Sequence, residues 1–239
     1  MTLLFRKGSR RRAATLILAL ALGAPAPAAA GTFAVNPVNV LLPPDRVATE
    51  LSLANAGGEP VTVRVSVSRW TQKDGRDRFE PTRDIVVSPP IIVVAPGATQ
   101  LIRIGTRTRI AGAAYRIVVE EVPAAARTAG INVALRLDLP FYVLAQVPAK
   151  AQLSWAARRD SNGALIVTAR NAGARHAQIL GIAAEDSSGR RIAASRAMGV
   201  VLPESERSWD LGESDALPSQ LVIRTADGET RTGLDVDPN

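Results

Sequence analysis

Short segments with a two-residue hydrophobic period run through almost the whole chain, and they constrain its fold more than any other feature. Segments such as VTVRVSVSRW and TQLIRIG alternate apolar with polar residues, which is typical of strands with one buried face. Turn-forming clusters such as NAGGEP, KDGRD and APGA separate them. No segment with a helical period lies between the strands, which argues against a parallel sheet with crossover helices.

Seven such strands up to residue 143 predict an immunoglobulin-like sandwich. In this prediction FAVNPVNVLL and DIVVSPPIIVV each count as one strand. The pattern restarts after Pro148 with shorter and more polar strands, which predicts a second β-sandwich over residues 148–239 behind a first domain over 31–147. LANAGGEPV and TARNAGARH indicate that both halves use the same strand-to-turn device, an Asn-x-Gly at the end of the second strand. The fold class is therefore all-β.

The N-terminus reads as a secretory signal peptide over residues 1–30; the alternative is an uncleaved membrane anchor, which the short apolar stretch with its Ala/Pro-rich end disfavours. Five basic residues precede the apolar run AATLILALALGAPAPAAA, and a small-residue cleavage site places the start of the mature chain near Gly31. Its removal lowers the formal charge from +7 by five, to +2, so the high isoelectric point is largely a property of the leader. A nearly balanced chain with scattered arginines argues against nucleic acid as a partner. The absence of cysteine means that each domain relies on its own hydrophobic core.

The sequence offers little for catalysis. His176 is the only histidine, and we expect it at the surface in a turn; without a cysteine or a second histidine it has no partner for a metal site or an activated nucleophile. Trp70, Trp155 and Trp209 are interpreted as core or strand-end packing. The mixed-charge segment TQKDGRDRFEP is interpreted as a solvated hairpin rather than a ligand site. We expect no enzyme activity, no cofactor, no metal and no small-molecule substrate.

The segment INVALRLDLPFYV, residues 131–143, places an apolar side chain at every odd position from Ile131 to Leu139. A strand of this kind buries one face. Alternation alone favours packing into the domain's own core, whereas an exposed apolar edge would indicate a strand held ready for a partner.

The first half resembles the periplasmic pilus chaperones of the chaperone–usher pathway, particularly their archaic branch. The resemblance rests on elements in matching order: FAVNPVNVLL, LSLANAG, SRW, the block IVVSPPIIVVAPGATQLIRIG, YRIVVEEVP and the strand beginning at Ile131. It implies two immunoglobulin-like domains in a boomerang arrangement. It also implies a periplasmic chaperone that binds pilus subunits by donor-strand complementation and delivers them to an outer-membrane usher.

On this resemblance the donor residues are Ile131, Val133, Leu135 and Leu137. The alternative is a secreted two-domain structural or adhesive protein whose corresponding strand packs into its own core. The family also grips the subunit's C-terminal carboxylate with basic residues, but the matching positions here are Asn39 and the neighbourhood of Asp138. Because a carboxylate needs a charge-assisted partner, the candidate anchors are other arginines on predicted strands: Arg103, Arg116 and Arg136.

Overall fold

The computed structural model describes residues 33–123, 133–145 and 149–236, and every regular element within these ranges is a β-strand. No helix there is long and apolar enough to cross a membrane. The first ten strands are β1 (Phe33–Asn36), β2 (Val40–Leu42), β3 (Ala48–Asn55), β4 (Val61–Lys73), β5 (Arg76–Pro81), β6 (Ile85–Ser88), β7 (Ile91–Val94), β8 (Thr99–Thr106), β9 (Ala114–Glu121) and β10 (Arg136–Val143). The next ten are β11 (Leu153–Arg159), β12 (Ala164–Asn171), β13 (Ala177–Ile179), β14 (Gly181–Glu185), β15 (Arg191–Ser195), β16 (Gly199–Val201), β17 (Ser205–Glu213), β18 (Gln220–Thr225), β19 (Gly228–Thr232) and β20 (Asp235–Val236).

The first sandwich packs a sheet of order β1-β3-β8-β6 against a sheet of order β2-β10-β9-β4-β5, with β7 also paired to β4. Alternate residues of facing strands fill the space between the sheets, as the two-residue period predicts. Leu51, Ile102, Ile104, Ile117 and Phe141 are all fully buried there. Among the described strands of this sandwich, pairing is antiparallel except between β2 and β10, which run parallel.

Prolines divide two of the predicted strands, and this corrects the sequence prediction. FAVNPVNVLL forms β1, which pairs with β3, and β2, which pairs with β10 in the other sheet. IVVSPPIIVV likewise forms β6, paired with β8, and β7, paired with β4. Proline has no N–H to donate to a ladder, so the chain leaves one sheet at Pro37 and at Pro89–Pro90 and joins the other.

The second sandwich contains two four-stranded sheets, of order β17-β12-β11-β20 and β15-β14-β18-β19, and the short pair β13-β16. Its core includes Trp155 and Trp209, whose ring centroids lie 6.1 Å apart, together with fully buried Leu165 and Leu221. The prediction of an all-β chain of two immunoglobulin-like sandwiches is confirmed. The limits proposed for the two domains, 31–147 and 148–239, lie on residues outside the described ranges. The leader over residues 1–30 also lies outside them, so the limits and the leader stay predictions.

The repeated Asn-x-Gly device has the same geometry in both sandwiches. Buried Asn55 donates from Nδ2 to the carbonyls of Glu59 and Val94, while its Oδ1 accepts from Gly57 N–H at 2.9 Å. Buried Asn171 donates to the carbonyls of Arg175 and Val201, and its Oδ1 accepts from Gly173 N–H at 3.0 Å. In each case one amide closes the turn after the strand and ties it to a distant strand.

Candidate functional site

One edge of β10 is open along part of its length. Residues 141–143 pair with β2 on that side, whereas residues 136–140 pair with β9 alone among the described residues. The N–H of Glu121 donates to the carbonyl of Leu135 at 2.8 Å, so the odd-numbered residues bond to β9. Hydrogen-bonded pairs alternate in an antiparallel ladder, and the backbone groups of Arg136 and Asp138 therefore face the open edge. Pro140, without an N–H, ends this stretch where β2 begins.

The burial of the predicted donor residues increases along the chain from Val133 towards β10. Val133 is 66% exposed, while Leu135 and Leu137 are half-buried and pack against the core of the first sandwich. Leu139 and Phe141, on the same face of the strand, are buried. Ile131 lies outside the described residues. The odd-numbered side chains are thus part of the domain's own core at Phe141 and become exposed at Val133.

The three candidate arginines lie in different places. Arg103 is on β8, in the sheet that does not contain β10, and pairs with Glu50 at 3.4 Å with its side chain 71% exposed. Alternation along TQLIRIG puts Arg103 on the strand face opposite Ile102 and Ile104, which predicts an outward side chain, and this prediction is confirmed. Arg136 is exposed and pairs with Asp138 at 3.1 Å and with Glu120 at 3.5 Å. These two charges are already partnered, and Asn39 and Asp138 are exposed as well.

Arg116 lies on the outer face of β9, beside a cavity of about 280 Å3 between the two sandwiches. Its guanidinium stacks over the ring of Trp70, 4.4 Å from the centroid, and lies 5.2 Å from the centroid of Phe79. Residues of the second sandwich, including Met198 and Arg207, line the opposite side. No carboxylate of the described residues lies within salt-bridge distance of Arg116. The aromatic rings hold the planar cation and leave its charge available to a ligand.

The hairpin of β4 and β5 reaches across to the second sandwich, a contact that the sequence analysis missed. Asp74 and Gly75 form its tip with φ values of 54° and 71°, as the Asp-Gly pair of a tight hairpin turn requires. The carbonyl of Gly75 accepts from Ser208 N–H at 3.0 Å. A Cβ on Gly75 would lie 2.4 Å from Ser208 Oγ, so glycine is needed for this close approach as well.

Asp77 is the polar centre of this contact. It accepts hydrogen bonds from Trp70 Nε1 at 2.9 Å and Gln72 Nε2 at 2.8 Å, and it forms an ion pair with Arg207 of the second sandwich. Gln72 also bonds to the backbone of Val200 and Leu202. Burial opposes ionisation of Asp77, but the hydrogen bonds from Gln72, Arg207 and Trp70 outweigh it and lower its pKa. TQKDGRDRFEP is a hairpin, as predicted, but Asp77 is engaged between domains rather than solvated.

His176 also lies between the domains, which corrects its predicted surface position. The imidazole is half-buried and stacks on Tyr142 of β10, with ring centroids 3.6 Å apart and planes 9° from parallel. Tyr142 packs in turn with Trp70, Ala114 and Leu202 in a small interdomain cluster. The sequence placed His176 in a polar turn but contained no sign of the aromatic surface that covers it. Burial, with the charge of Arg175, lowers the pKa of His176 to about 4, and burial raises that of Tyr142 to about 12.

The lowered pKa predicts an acid-sensitive contribution to stability. The histidine pKa is near 6.5 when unfolded and about 4 when folded, so the unfolded chain binds the extra proton between these values. The contribution is complete above pH 6.5, falls as the pH decreases towards 4, and amounts to about 3 kcal/mol. We expect His176→Phe, which keeps an aromatic ring but cannot titrate, to remove this component when the free energy of urea unfolding is compared at pH 4.5 and 7.5. An unchanged pH difference in the variant would contradict this assignment.

Histidine, aspartate and glutamate side chains do not gather in groups of three or more that would hold a metal ion within residues 33–123, 133–145 and 149–236. The features that stand out are therefore an open strand edge, an arginine at an interdomain cavity and a polar link that joins the two domains.

Comparison with known proteins identifies the first sandwich. Residues 32–149 match the family profile described as pili and flagellar-assembly chaperone, PapD N-terminal domain. No curated protein sequence matches the chain significantly.

Solved structures of chaperones share the two-domain fold. CsuC, in the complex with the tip adhesion subunit from the archaic chaperone–usher Csu pili of Acinetobacter baumannii, has 19% identity and a TM-score of 0.69, over 87% of this chain and 100% of that one. SafB of Salmonella enterica, in complex with the SafA pilin, has 14% identity and a TM-score of 0.61, over 85% and 97% of the two chains. DraB of E. coli has 16% identity and a TM-score of 0.57, over 87% and 98%. Through its PapD-type N-terminal domain, the chain belongs to the family of pili and flagellar-assembly chaperones.

Proposed function

We propose that this protein is a periplasmic chaperone that binds pilus subunits by donor-strand complementation and delivers them to an outer-membrane usher. The open edge of β10 carries the proposal. Backbone groups of Arg136 and Asp138 have no strand partner on that side among the described residues and can pair with a strand of the subunit, and the side chain of Val133 stands exposed beside them. Backbone pairing supplies affinity and register, while alternate side chains fill pockets in the partner.

The donor segment runs from Ile131 to Leu137. Val133 contributes a side chain that has no cover within the described chain, and Leu135 and Leu137 extend the same apolar row from the chaperone's own core towards the subunit. The alternative, a secreted structural or adhesive protein, predicts that the whole row serves only this domain. The packing of Leu135 and Leu137 against the first core is the observation that favours it.

Arg116 is the proposed anchor for the subunit's C-terminal carboxylate. Its guanidinium lies at the interdomain cavity without a carboxylate partner among the described residues, whereas Arg103 and Arg136 are already ion-paired. A carboxylate entering the cavity would meet a planar donor held against Trp70, and such a pair gives both charge and orientation. Anchoring one end of the subunit strand in the cavity would set its register along β10.

The test is capture of secreted proteins encoded beside the chaperone, by co-expression and affinity purification. Transfer of exposed Val133 into a subunit pocket is worth about 1.5–3 kcal/mol, so we expect Val133→Asn to weaken capture roughly tenfold to a hundredfold. Ala134→Asn is the matched control, because the next side chain along an extended strand points to the opposite face. Both variants should melt within a few degrees of the parent chain.

Two results would count against the proposal. One is failure of the parent chain to form a stoichiometric complex with any neighbouring secreted protein. The other is a large loss of melting temperature in Val133→Asn with no separate effect on capture, which would assign the residue to this domain's own core and favour the structural alternative.

A further inference from the structure

A second open strand edge lies on the first sandwich, in the sheet opposite β10. Strand β6 is the last strand of the order β1-β3-β8-β6 and pairs only with β8 among the described residues. An open groove of about 370 Å3 runs along it, lined by Thr82, Arg83, Ile85, Val86, Val87 and Arg107. We propose that this groove binds an extended acidic peptide segment of a partner protein, which adds as a strand to β6.

The hydrogen-bond pattern determines which backbone groups are available. The N–H of Arg107 donates to the carbonyl of Asp84 at 2.7 Å, immediately before β6 begins. Because hydrogen-bonded pairs alternate along an antiparallel ladder, Val86 and Ser88 bond to β8 in the register Val86↔Gly105 and Ser88↔Arg103. The N–H and C=O groups of Ile85 and Val87 therefore point away from β8, where an added strand would meet them.

The charge of the groove indicates an acidic occupant. Arg83 and Arg107 are both exposed and both line the groove. Neither forms a salt bridge with a carboxylate of the described residues. The nearest acidic neighbour along the chain, Asp84, is engaged elsewhere, since its Oδ2 accepts from Arg69 and from the Tyr115 hydroxyl at 3.2 Å each. Within the part of the chain that the structure describes, two positive charges thus stand without a carboxylate partner at one end of a row of unpaired backbone groups.

The site is separate from the one proposed for subunits. β6 belongs to the first sheet and β10 to the second, so both edges can be occupied at once and the groove does not depend on the proposed donor strand. Because β6 is four residues long, it can pair with roughly four residues of a partner strand. Carboxylate side chains near one end of such a segment would meet Arg83 and Arg107.

The probe is a fluorescein-labelled eight-residue peptide in which valine alternates with glutamate, titrated by fluorescence anisotropy against the full chain at low salt. We expect saturable binding that weakens at least tenfold in the double variant Arg83→Ala/Arg107→Ala. The double variant Arg158→Ala/Arg159→Ala, which removes two exposed arginines from the second sandwich, should bind like the parent. Hydrogen exchange should slow at the amides of Ile85 and Val87 when the peptide binds.

Two altered peptides and a competition with sulfate test the two parts of the proposal, namely attraction by charge and strand addition at β6. A peptide with lysine in place of glutamate, and one with N-methylated backbone amides, should each bind at least tenfold more weakly. Equal binding of either peptide would overturn the proposal, as would protection at Arg136 and Asp138 instead of Ile85 and Val87. If millimolar sulfate displaces the peptide and the amides of β6 show no protection, the groove is a simple anion site and the proposal is overturned.

Discussion

Replacing Arg116 with glutamine is expected to weaken subunit capture at least about thirtyfold while leaving the free chaperone folded. Truncating one partner of a desolvated charge pair typically costs 2–5 kcal/mol, and Arg116 is the cation at the interdomain cavity that has no carboxylate partner among the described residues. Glutamine retains part of the side chain that covers Trp70. The measurements are the dissociation constant for a captured subunit and the melting temperature of the free chain.

The other two arginines supply the controls. Arg103→Gln changes an exposed charge on the opposite sheet, and we expect no effect on capture. Arg136→Gln removes an exposed ion pair on β10 and should change capture only a few-fold. Arg116→Lys should be intermediate, because lysine keeps the charge but loses the two-pronged geometry. A loss in Arg103→Gln or Arg136→Gln as large as that in Arg116→Gln would show that the anchor is elsewhere.

A subunit altered at its own C-terminus sharpens this test. If the subunit's carboxylate lies in the cavity, extending the subunit by two residues would move it away and should weaken binding to the parent chaperone. If Arg116 grips that carboxylate, the same extension should have little further effect in Arg116→Gln, because both changes remove one interaction. Fully additive losses would contradict the contact.

The second large effect is expected at the link between the domains. Arg207→Met leaves Asp77 half-buried without its ion-pair partner, and breaking a buried pair in this way costs roughly 3–5 kcal/mol. Both side chains retain about a fifth of their exposure, 21% and 22%, so we expect a value near the lower end, about 3 kcal/mol. The measurement is the free energy of unfolding in urea, with small-angle scattering to detect a change in the angle between the domains.

The pH dependence of this variant gives an independent check. The pKa of Asp77 is lowered in the folded chain. Its contribution to the free energy of unfolding is therefore complete above the unfolded pKa of 3.8 and is lost as the pH falls through the lower pKa of the folded chain. The difference between the parent and Arg207→Met should therefore shrink in strong acid. Glu50→Gln, which breaks the exposed pair with Arg103, is the control and should cost less than about 1 kcal/mol. An Arg207→Met chain as stable as this control would contradict a structural role for the link.

The local features of this protein can be predicted from its sequence alone, because they depend on short-range periodicity. Alternation along TQLIRIG correctly predicted that Ile102 and Ile104 are buried and that Arg103 points outward. The two Asn-x-Gly segments predicted the same turn in both halves, since an asparagine side chain closes a turn with its own neighbours. Proline was underestimated: the strand segments around Pro37 and Pro89–Pro90 change sheets, a choice that depends on where partner strands lie.

How the two domains meet, and which residues form the candidate site, depend on the three-dimensional arrangement of the sheets. Asp77 and Arg207 are separated by 130 positions, and neither sits in a segment whose pattern distinguishes it from a solvated charge. Likewise, His176 stacks on Tyr142, and Arg116 rather than Arg103 lies at the interdomain cavity. Periodicity tells which face of a strand is apolar, but a contact between distant polar side chains depends on the relative placement of whole sheets, which no local pattern encodes.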